Sequence, residues 1–422
     1  MRRAPGNYSG GKTIAIATNG STSSSDHLPH MKKYLQKIIG RKSKRWHERY
    51  VDGNEVKLLH GGAEFFLALE EHIRNARKTI QLQIYMLDPD DTGMRIIRLL
   101  KEAAARGVQV YVVLDAFGSQ RIHENHIQDM LKTGIHIRKF APMMSGLRIS
   151  ISRRMHHKIF VADGEIALTG GLNISDSYFG MHEAPWLDYG VQLRGPLCAE
   201  MEITCRARWR RQFRKNKIPV EHPPECGAVR ARTSRNDWFR GRSQISKSYR
   251  DMLSRASKEV LMLSPYFLPG YRLTRLIMCA RKRGVRVVLV LPGISDVPLM
   301  KNATDHLYAT FLRHGIEIYE WKETVLHGKI AVMDSSWCTI GSYNPNVMSD
   351  YLSMEMNIDI DDIGFSANLR NEIESRIISH CRKITEDNYR KSNSFIMSMF
   401  NRIAYYTFWI LLRLQYLLTS SK

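Results

Sequence analysis

From about residue 56 onward, the chain alternates between two hydrophobic periodicities. In residues 63–76 and 94–105, apolar side chains recur at the spacing of one helix face, which predicts amphipathic helices. Residues 79–85 and 108–114 are short segments rich in apolar and β-branched side chains. The second is almost continuously apolar, as is typical of a strand covered on both faces. The pattern therefore predicts an α/β fold in which a mixed β-sheet is flanked by helices.

The same order of elements recurs about 180 residues later in the chain. Helix and strand patterns alternate there in residues 249–256, 259–263, 273–281 and 285–290. Short stretches also match between the halves, namely Arg106-Gly107-Val108 with Arg283-Gly284-Val285, and Gly134-Ile135 with Gly315-Ile316. Because the matches follow the same order in both halves, we interpret the chain as an internal duplication of one α/β unit.

The two ends of the chain differ from the repeats. The first 30 residues or so are rich in Gly, Ser, Thr and Asn and lack periodicity, so we expect them to be disordered. Residues 31–39 set apolar side chains at helical spacing against a lysine face. That pattern suits a helix lying on anionic lipid, or alternatively a solvated basic tail. We therefore predict four segments: a basic N-terminal segment (1–48), two repeats (49–222 and 223–390) and an apolar C-terminal helix (391–422).

The C-terminal segment is the most apolar part of the chain, but Arg413 interrupts it. Its uninterrupted apolar run is about ten residues, whereas a spanning helix needs about 20. We expect a helix that lies in the membrane interface. A tilted span or hairpin, and a helix packed on the protein's own core, are the alternatives.

Charge and cysteine content narrow the class of partner and the compartment. The formal net charge of +22 indicates an anionic partner, either nucleic acid or a lipid surface, and charge alone does not choose between them. The six cysteines show no metal-binding spacing, which is typical of free thiols in a reducing compartment. The N-terminus has no apolar run long enough for a signal peptide. We therefore expect the catalytic part on the cytoplasmic face of the cell membrane.

Each half contains the same polar cluster at the same place. Both copies fit H-x-K, four residues, D, six residues, G-[GS]-x-N, and comprise His156, Lys158, Asp163 and Asn173 in the first half and His327, Lys329, Asp334 and Asn344 in the second. The residues between lysine and aspartate read as a strand, so His156 shares a face with Lys158 and its neighbour His157 does not. This alternation selects His156 as the functional histidine.

These residue types suit chemistry on a phosphate ester. Lysine provides positive charge for phosphate, and the asparagine amide adds neutral donors. A histidine can attack phosphorus or transfer a proton near neutral pH. With two copies, one imidazole can be the nucleophile and the other the acid for the leaving alkoxide. Since two lysines supply the positive charge, we expect that no metal or other cofactor is required.

The two clusters resemble the HKD motif of the phospholipase D superfamily, and the resemblance covers roughly residues 50 to 385. Within that superfamily the chain is similar to bacterial cardiolipin synthases, particularly the B type. The stretches that carry the likeness are Arg154-Met155-His156, Gly170-Gly171-Leu172-Asn173, Gly195-Pro196, Tyr266-Phe267-Leu268-Pro269-Gly270-Tyr271 and Leu326-His327-Gly328-Lys329. Gly171 replaces the commoner serine, a change that cardiolipin synthases often show in their first half.

The resemblance implies two tandem repeats packed as a pseudo-twofold pair, which transfer a phosphatidyl group, with phosphatidylglycerol as the expected donor, through a phosphohistidine intermediate. It implies that His156 is the nucleophile and His327 the general acid and base. The implied roles of the others are phosphate binding for Lys158, Lys329, Asn173 and Asn344, mostly structural roles for Asp163 and Asp334, and orientation of the histidines by Asp188 and Glu355.

Three other functions fit parts of this pattern. A hydrolytic phospholipase D shares the first half-reaction and uses water as the acceptor. A nuclease or nucleic-acid-binding protein would explain the basic charge, but it does not need an apolar C-terminal stretch. A lipid-binding scaffold without activity is disfavoured because both motifs are intact. We therefore expect anionic phospholipids and a membrane surface as partners, and no nucleic acid.

Overall fold

The computed structural model describes residues 49–420, apart from 142–143, 146–147, 150–152, 210–212 and 214–217. The predicted basic segment 1–48, including its helix at 31–39, lies outside the described residues. The first half contains β1 Val51–His60, α1 Gly61–Asn75, β2 Thr79–Ile84, α2 Asp91–Ala105, β3 Gln109–Asp115, α3 Glu124–Lys132, β4 His136–Phe140, β5 Met144–Ser145, β6 Arg148–Ile149, β7 Arg154–Met155, β8 Ile159–Ala162, β9 Ile166–Gly170, α4 Asp176–Phe179, β10 Tyr189–Arg194 and α5 Leu197–Arg206.

The second half repeats this order and ends in two additional helices. Its elements are β11 Val229–Asp237, a 3₁₀ turn Trp238–Arg240, β12 Arg242–Ser243, α6 Gln244–Arg255, β13 Glu259–Leu263, α7 Tyr271–Lys282, β14 Arg286–Ile294, α8 Pro298–Asp305, α9 Tyr308–Arg313, β15 Glu317–Val325, β16 Ile330–Met333, β17 Trp337–Gly341, α10 Val347–Tyr351, β18 Ser353–Asp361, α11 Ile363–His380, β19 Cys381–Ile384, α12 Glu386–Ser392 and α13 Phe395–Ser420. Every helix and strand predicted between residues 63 and 290 is present, with ends shifted by a few residues. The boundary between the repeats after residue 222 stays a prediction.

The strands of the two halves form one continuous sheet with a symmetrical order. In the first half the order runs β4-β3-β2-β8-β9-β10-β1. In the second half the order β15-β14-β13-β16-β17-β18-β11 mirrors it, with β19 added outside β15. The antiparallel pairing of β1 with β11 joins the halves. Each half therefore contributes one mixed sheet flanked by helices, and the pairing of β1 with β11 joins the two sheets. This confirms the predicted fold of two repeats related by a pseudo-twofold axis.

Alternation along the strands explains why their sequences are apolar throughout. In the first half, Phe160 packs beneath α1 and α2, whereas its neighbour Ile159 belongs to a cluster shared by both halves. In the second half, Met262 packs beneath α6 and α7, whereas Leu261 belongs to the shared cluster. Each sheet is therefore buried on both faces, by helices on one face and by the opposite half on the other.

The C-terminal helix α13 packs on the second half along one face. Ala404 and Phe408 are buried against Leu268, Met300 and Ala303. Among the helices of the described residues, none combines the length and the apolar character needed to cross a bilayer. The described part of α13 therefore fits the alternative in which the helix packs on the protein's own core, while its other face exposes large apolar side chains.

Candidate active site

Backbone hydrogen bonds hold each motif histidine against the opposite half. The N–H groups of His156 and His157 both donate to the carbonyl of Met354, at 2.9 and 3.0 Å. In the mirror arrangement, the N–H groups of His327 and Gly328 donate to the carbonyl of Leu187, at 2.7 and 2.9 Å. Met354 and Leu187 immediately precede the two predicted orienting acids in the sequence. The fold therefore places each histidine beside the acid of the other repeat.

The side chains complete these pairs. Nδ1 of His156 lies 3.1 and 3.0 Å from the two carboxylate oxygens of Glu355. Nδ1 of His327 lies 2.6 Å from Oδ2 of Asp188. Nδ1 of His327 also lies 2.6 Å from Nζ of Lys329. A hydrogen bond to an ionised carboxylate requires hydrogen on Nδ1, and this tautomer leaves the Nε2 lone pair of the neutral ring for chemistry. The structure thus brings all four predicted residues together, in pairs that cross between the halves.

The two motif lysines are buried next to the histidines. Nζ of Lys158 donates to the carbonyl of His156 at 2.7 Å, and Nζ of Lys329 donates to the carbonyl of His327. Burial, followed by repulsion from Lys329, lowers the pKa of Lys158 to about 7. Burial likewise lowers the pKa of Lys329 to about 8, against the attraction of Asp188. The lysines of both halves therefore concentrate positive charge in one desolvated site, which favours a bound anion.

The same environment keeps both histidines neutral. Burial lowers the pKa of His156 despite the attraction of Glu355, and the two lysines lower it further. Burial also lowers the pKa of His327 well below its ordinary value, with contributions from Lys329 and Lys158. Each histidine is thus affected by charges from both repeats. The two motifs therefore form one site.

The predicted asparagines line the same region. Nδ2 of Asn173 donates to the hydroxyl of Tyr178 at 2.9 Å, and its Oδ1 accepts from the backbone of Met86 at 3.3 Å. Asn344 is buried, and its Oδ1 has no hydrogen-bond partner among the described residues. Its backbone N–H donates to Ser349, whose hydroxyl in turn donates to Glu355. Both amides are therefore held next to the histidine pairs.

The two motif aspartates do not contact the histidine pairs. Each follows the far end of the strand that begins at the motif lysine. Asp163 accepts backbone N–H groups of residues 77–79 at 2.7–2.9 Å. Asp334 accepts the equivalent groups of residues 257–259 at 2.8–2.9 Å. Both carboxylates tie a hairpin turn to the start of the neighbouring strand, which agrees with the structural role implied by the resemblance.

The two halves of the site differ in how they hold the acid. In the second half, the hydroxyls of Ser342 and Ser349 donate to the two oxygens of Glu355, at 2.5 and 2.8 Å. In the first half, Gly171 occupies the position of Ser342, and a Cβ there would lie 2.3 Å from Oδ1 of Asp188. The shorter aspartate reaches its histidine only because residue 171 has no side chain. This contact gives a physical reason for the Gly171 departure from the common motif.

Aromatic side chains form walls that the motifs did not predict. The ring of Tyr85 lies 4.9 Å from that of His156, and the ring of His327 lies 5.2 Å from Tyr178, 5.7 Å from Trp186 and 6.1 Å from Tyr266. Burial raises the pKa of Tyr178 and of Tyr266 well above 10, so both hydroxyls remain donors. Tyr85 and Tyr266 lie just after the equivalent strands β2 and β13. A tyrosine at this place in both halves was the feature of the sequence from which an aromatic wall could have been predicted.

Three side chains that could bind a metal ion are grouped at one position. Asp91, Asp176 and His182 are the group among the described residues whose ligand atoms lie close enough to share an ion. Nε2 of His182 lies 3.1 and 3.6 Å from the two carboxylates. Two of the three side chains are exposed, and exposed acidic groups of this kind are common without a metal.

The geometry defines a class of protein. Two neutral imidazoles, each fixed at Nδ1 by a buried carboxylate, face a site with two lysine ammonium groups. Such an arrangement suits in-line displacement at a phosphodiester, with one imidazole attacking phosphorus and the other protonating the leaving oxygen. Fold and site therefore define a two-histidine enzyme of phosphodiester chemistry built from a duplicated α/β unit.

Comparisons with known proteins agree with this class. A family model described as "Cardiolipin synthase, PLD-like domain" matches residues 69–193 and 249–377. Cardiolipin synthase B of Salmonella typhi is 33% identical over 348 residues, covering 79% of this chain and 83% of that protein. Cardiolipin synthase A of Pseudomonas syringae is 31% identical over 346 residues, covering 81% and 71%. The crystal structure of phosphatidylserine synthase from Haemophilus influenzae superposes with a TM-score of 0.64 at 16% identity, covering 88% and 99%.

The chain belongs to the cardiolipin synthase family of phospholipase D-like proteins, and it is an enzyme, a phosphatidyltransferase of that superfamily. The resemblance inferred from the two motifs is thereby confirmed. The solved structure, at its low sequence identity, supports the fold alone.

Proposed function

We propose that this enzyme is a cardiolipin synthase-like phosphatidyltransferase, which moves a phosphatidyl group from phosphatidylglycerol to a second phospholipid through a phosphohistidine. The observation that carries the proposal is the pair of crossed histidine–carboxylate contacts, His156 with Glu355 and His327 with Asp188. The names of the relatives support the lipid substrate, because both are cardiolipin synthases.

In the proposed first step, Nε2 of neutral His156 attacks the phosphorus of the donor lipid. The bond from phosphorus to the glycerol oxygen breaks, and His327 gives that oxygen its proton. When the phosphodiester binds, its negative charge offsets the lysine charges that, together with burial, keep His327 neutral in the free enzyme. Nε2 of His327 then takes up a proton from solvent before the displacement, and Asp188 stabilises the resulting imidazolium through Nδ1. Lys158 and Lys329 stabilise the charge that accumulates on the equatorial oxygens.

In the proposed second step, the hydroxyl of the acceptor lipid replaces the departed glycerol. His327 takes the proton of that hydroxyl, the acceptor oxygen attacks phosphorus, and the bond between phosphorus and Nε2 of His156 breaks. Both histidines return to their starting states, so two phosphatidylglycerol molecules yield one cardiolipin and one glycerol. Water in place of the acceptor hydroxyl would instead yield phosphatidic acid, which is the hydrolytic alternative.

We further propose that the enzyme works at the cytoplasmic surface of the cell membrane as a peripheral protein. Its net charge of +22 favours attraction to anionic lipids. The open apolar face of α13 adds a surface suited to the membrane interface. An anionic bilayer would supply both the substrate and the attachment, and nucleic acid has no part in this proposal.

The test is a product analysis with labelled phosphatidylglycerol dispersed in detergent. We expect labelled cardiolipin and free glycerol from the wild-type enzyme. His156→Ala and His327→Ala should each lose essentially all turnover, because nucleophile and acid act as one unit. His157→Gln is the matched control, since that side chain contacts Gln83 on the other face of the segment, and it should remain active.

Other products would distinguish the alternatives. Phosphatidic acid as the main lipid product would establish hydrolysis and contradict the transferase proposal. Protein denatured at alkaline pH, which preserves the phosphorus–nitrogen bond, should carry phosphorus label on His156 alone, whereas label on His327 would reverse the two roles. No lipid product at all, with both histidines intact, would contradict transfer and hydrolysis alike.

A further inference from the structure

A cavity of about 560 Å³ lies behind the candidate active site and has no part in the proposed mechanism. Strand alternation separates the two. Glu355 points to His156, whereas its neighbour Met354 contacts Arg208 in the cavity wall. His157 likewise turns away from the site to Gln83, and both line the cavity. The cavity and the site therefore lie on opposite faces of the same strands, and Glu355 borders both.

The cavity wall is strongly basic. It contains five arginines and two acids, namely Arg206, Arg208, Arg235, Arg240 and Arg242 with Asp237 and Glu355. The Glu355 carboxylate serves His156 on the opposite face, and Arg206 is bound by Glu202 at 2.6 Å. Asp237 is shared by Arg153 at 2.5 Å and Arg240 at 3.7 Å. Positive charge therefore exceeds negative charge throughout the wall.

Arg208 and Arg242 differ from Arg206 and Arg240, each of which has a carboxylate partner. Within the described part of the chain, neither Arg208 nor Arg242 forms an ion pair with a carboxylate. The guanidinium of Arg208 donates to the sulfur of Met354 at 3.0 Å and lies 4.8 Å from the ring of Phe140. The segments 142–152 and 210–217, which adjoin the wall in the sequence, contain no aspartate or glutamate. These two segments therefore supply no acid that could neutralise the two arginines.

Burial and then mutual repulsion lower the pKa values of these arginines. Burial, followed by repulsion from Arg240 and Arg153, lowers the pKa of Arg208 to about 10. Burial, followed by repulsion from Arg242, lowers the pKa of Arg235 to about 9. Grouping partly buried arginines in this way costs folding free energy. A bound anion would remove that cost, and guanidinium groups match the oxygens of a phosphate in geometry.

We propose that this cavity is a binding site for a phosphate-bearing anion, separate from the catalytic phosphate site. Arg208 and Arg242 would make the principal contacts, with Arg240 at the rim. The cavity is larger than one phosphate group requires, so it could admit a free phosphate, a phosphomonoester or the headgroup of a lipid. All three would be recognised through the same phosphate oxygens. A two-arm titration separates the lipid source from the soluble ones.

The first arm is a calorimetric titration of the full-length protein with inorganic phosphate. The cavity variant is Arg208→Gln with Arg242→Gln. The matched control is Arg98→Gln with Arg313→Gln, which removes two exposed arginines elsewhere. We expect the cavity variant to lose one binding event, or to bind at that event at least about tenfold more weakly. The control should bind as the wild type does.

The catalytic site provides an internal check on folding. The cavity variant should keep turnover of a short-chain soluble phosphatidylglycerol, because neither arginine contacts the histidine pairs. If the double variant unfolds, Arg242→Gln alone, at a half-buried position, repeats the measurement. Unchanged phosphate stoichiometry and affinity in a folded cavity variant would overturn the proposal.

The second arm distinguishes the source of the anion in the His156→Ala background, where the lipid is not consumed. Dihexanoylphosphatidylglycerol below its micelle concentration is titrated against the phosphate-loaded protein. Displacement of the phosphate that depends on Arg208 and Arg242 would identify a lipid headgroup site. Phosphate binding without such displacement would identify a site for a soluble phosphate.

Discussion

At the scale of single residues, the repeat predicted the histidines and lysines, and the resemblance predicted the acids. Neither predicted which acid serves which histidine. The crossing of His156 to Glu355 and of His327 to Asp188 depends on the pairing of distant backbone segments, a property of the assembled fold. The serines around Glu355 and the glycine beside Asp188 follow from a difference of one methylene group between the two acids. The sequence shows that one acid is an aspartate and the other a glutamate, but the contacts that follow from this difference are seen only in the structure.

The lowered pKa values of the lysines predict a pH profile. A lysine is charged below its pKa, so Lys158 and Lys329 lose charge as the pH rises through about 7 and about 8. We therefore expect kcat/KM, which reports the free enzyme, to fall above about pH 7. In contrast, kcat should hold to higher pH, because bound phosphate keeps the lysines charged. Lys158→Arg, which stays charged, should shift the fall of kcat/KM upward at reduced overall activity. A profile of kcat/KM that stays flat to about pH 9 would contradict this role of the lysines.

At the scale of elements, the predicted helices and strands were correct because each sheet is buried on both faces and helices cover one of them. The hydrophobic pattern did not predict the backbone conformation of the turns. The two motif aspartates begin equivalent hairpin turns with positive φ, 55° at Asp163 and 51° at Asp334. The next residue also has positive φ in both turns, but it is Gly164 in one and Ser335 in the other, with φ of 73° and 53°. Glycine adopts this conformation freely, whereas serine does so at a cost.

This difference predicts a stabilising substitution. A left-handed conformation costs a residue with a side chain about 1–2 kcal/mol in the folded state. Glycine removes that cost, but its greater freedom stabilises the unfolded chain by about 0.4–1 kcal/mol and offsets part of the gain. Ser335→Gly should therefore raise the free energy of unfolding by up to about 1.5 kcal/mol in chemical denaturation. Gly164→Ser should lower it by more, since its Cβ would lie 2.7 Å from Glu202 and 2.9 Å from Glu221. Equal stability of Ser335→Gly and wild type would show that the turn carries no strain.

At the scale of the whole molecule, the duplication predicted two similar halves, but not that β1 and β11 would join them into one sheet. The apolar composition of the C-terminal segment likewise predicted a helix, but not that one face of this helix packs on the second half of the protein. Its Phe408 fills an apolar cluster with Leu268 of the second half, and the neighbouring Tyr266 packs against that cluster and borders His327. Removing the whole helix would therefore disturb the wall of the site as well as any membrane contact. A sharper test must change only the open face.

The open face of α13 includes Ile403, Ile410 and Leu411, each more than half exposed. If this face enters the membrane interface, replacing all three by glutamine should weaken binding to phosphatidylglycerol vesicles by about 100-fold or more. The side chains are about half exposed, so each would gain roughly half of the about 1.5–3 kcal/mol that full burial of an aliphatic side chain contributes. The loss should persist at about 1 M salt, where the Debye length is about 3 Å and lysine-driven attraction is screened. Turnover of a short-chain soluble substrate should be unchanged.

Phe408→Ala, on the packed face, should instead lower thermal stability and leave vesicle binding of the folded protein intact. Equal vesicle binding by the triple variant and the wild type at every salt concentration would exclude α13 as the membrane contact and leave the basic charge as the main source of attachment.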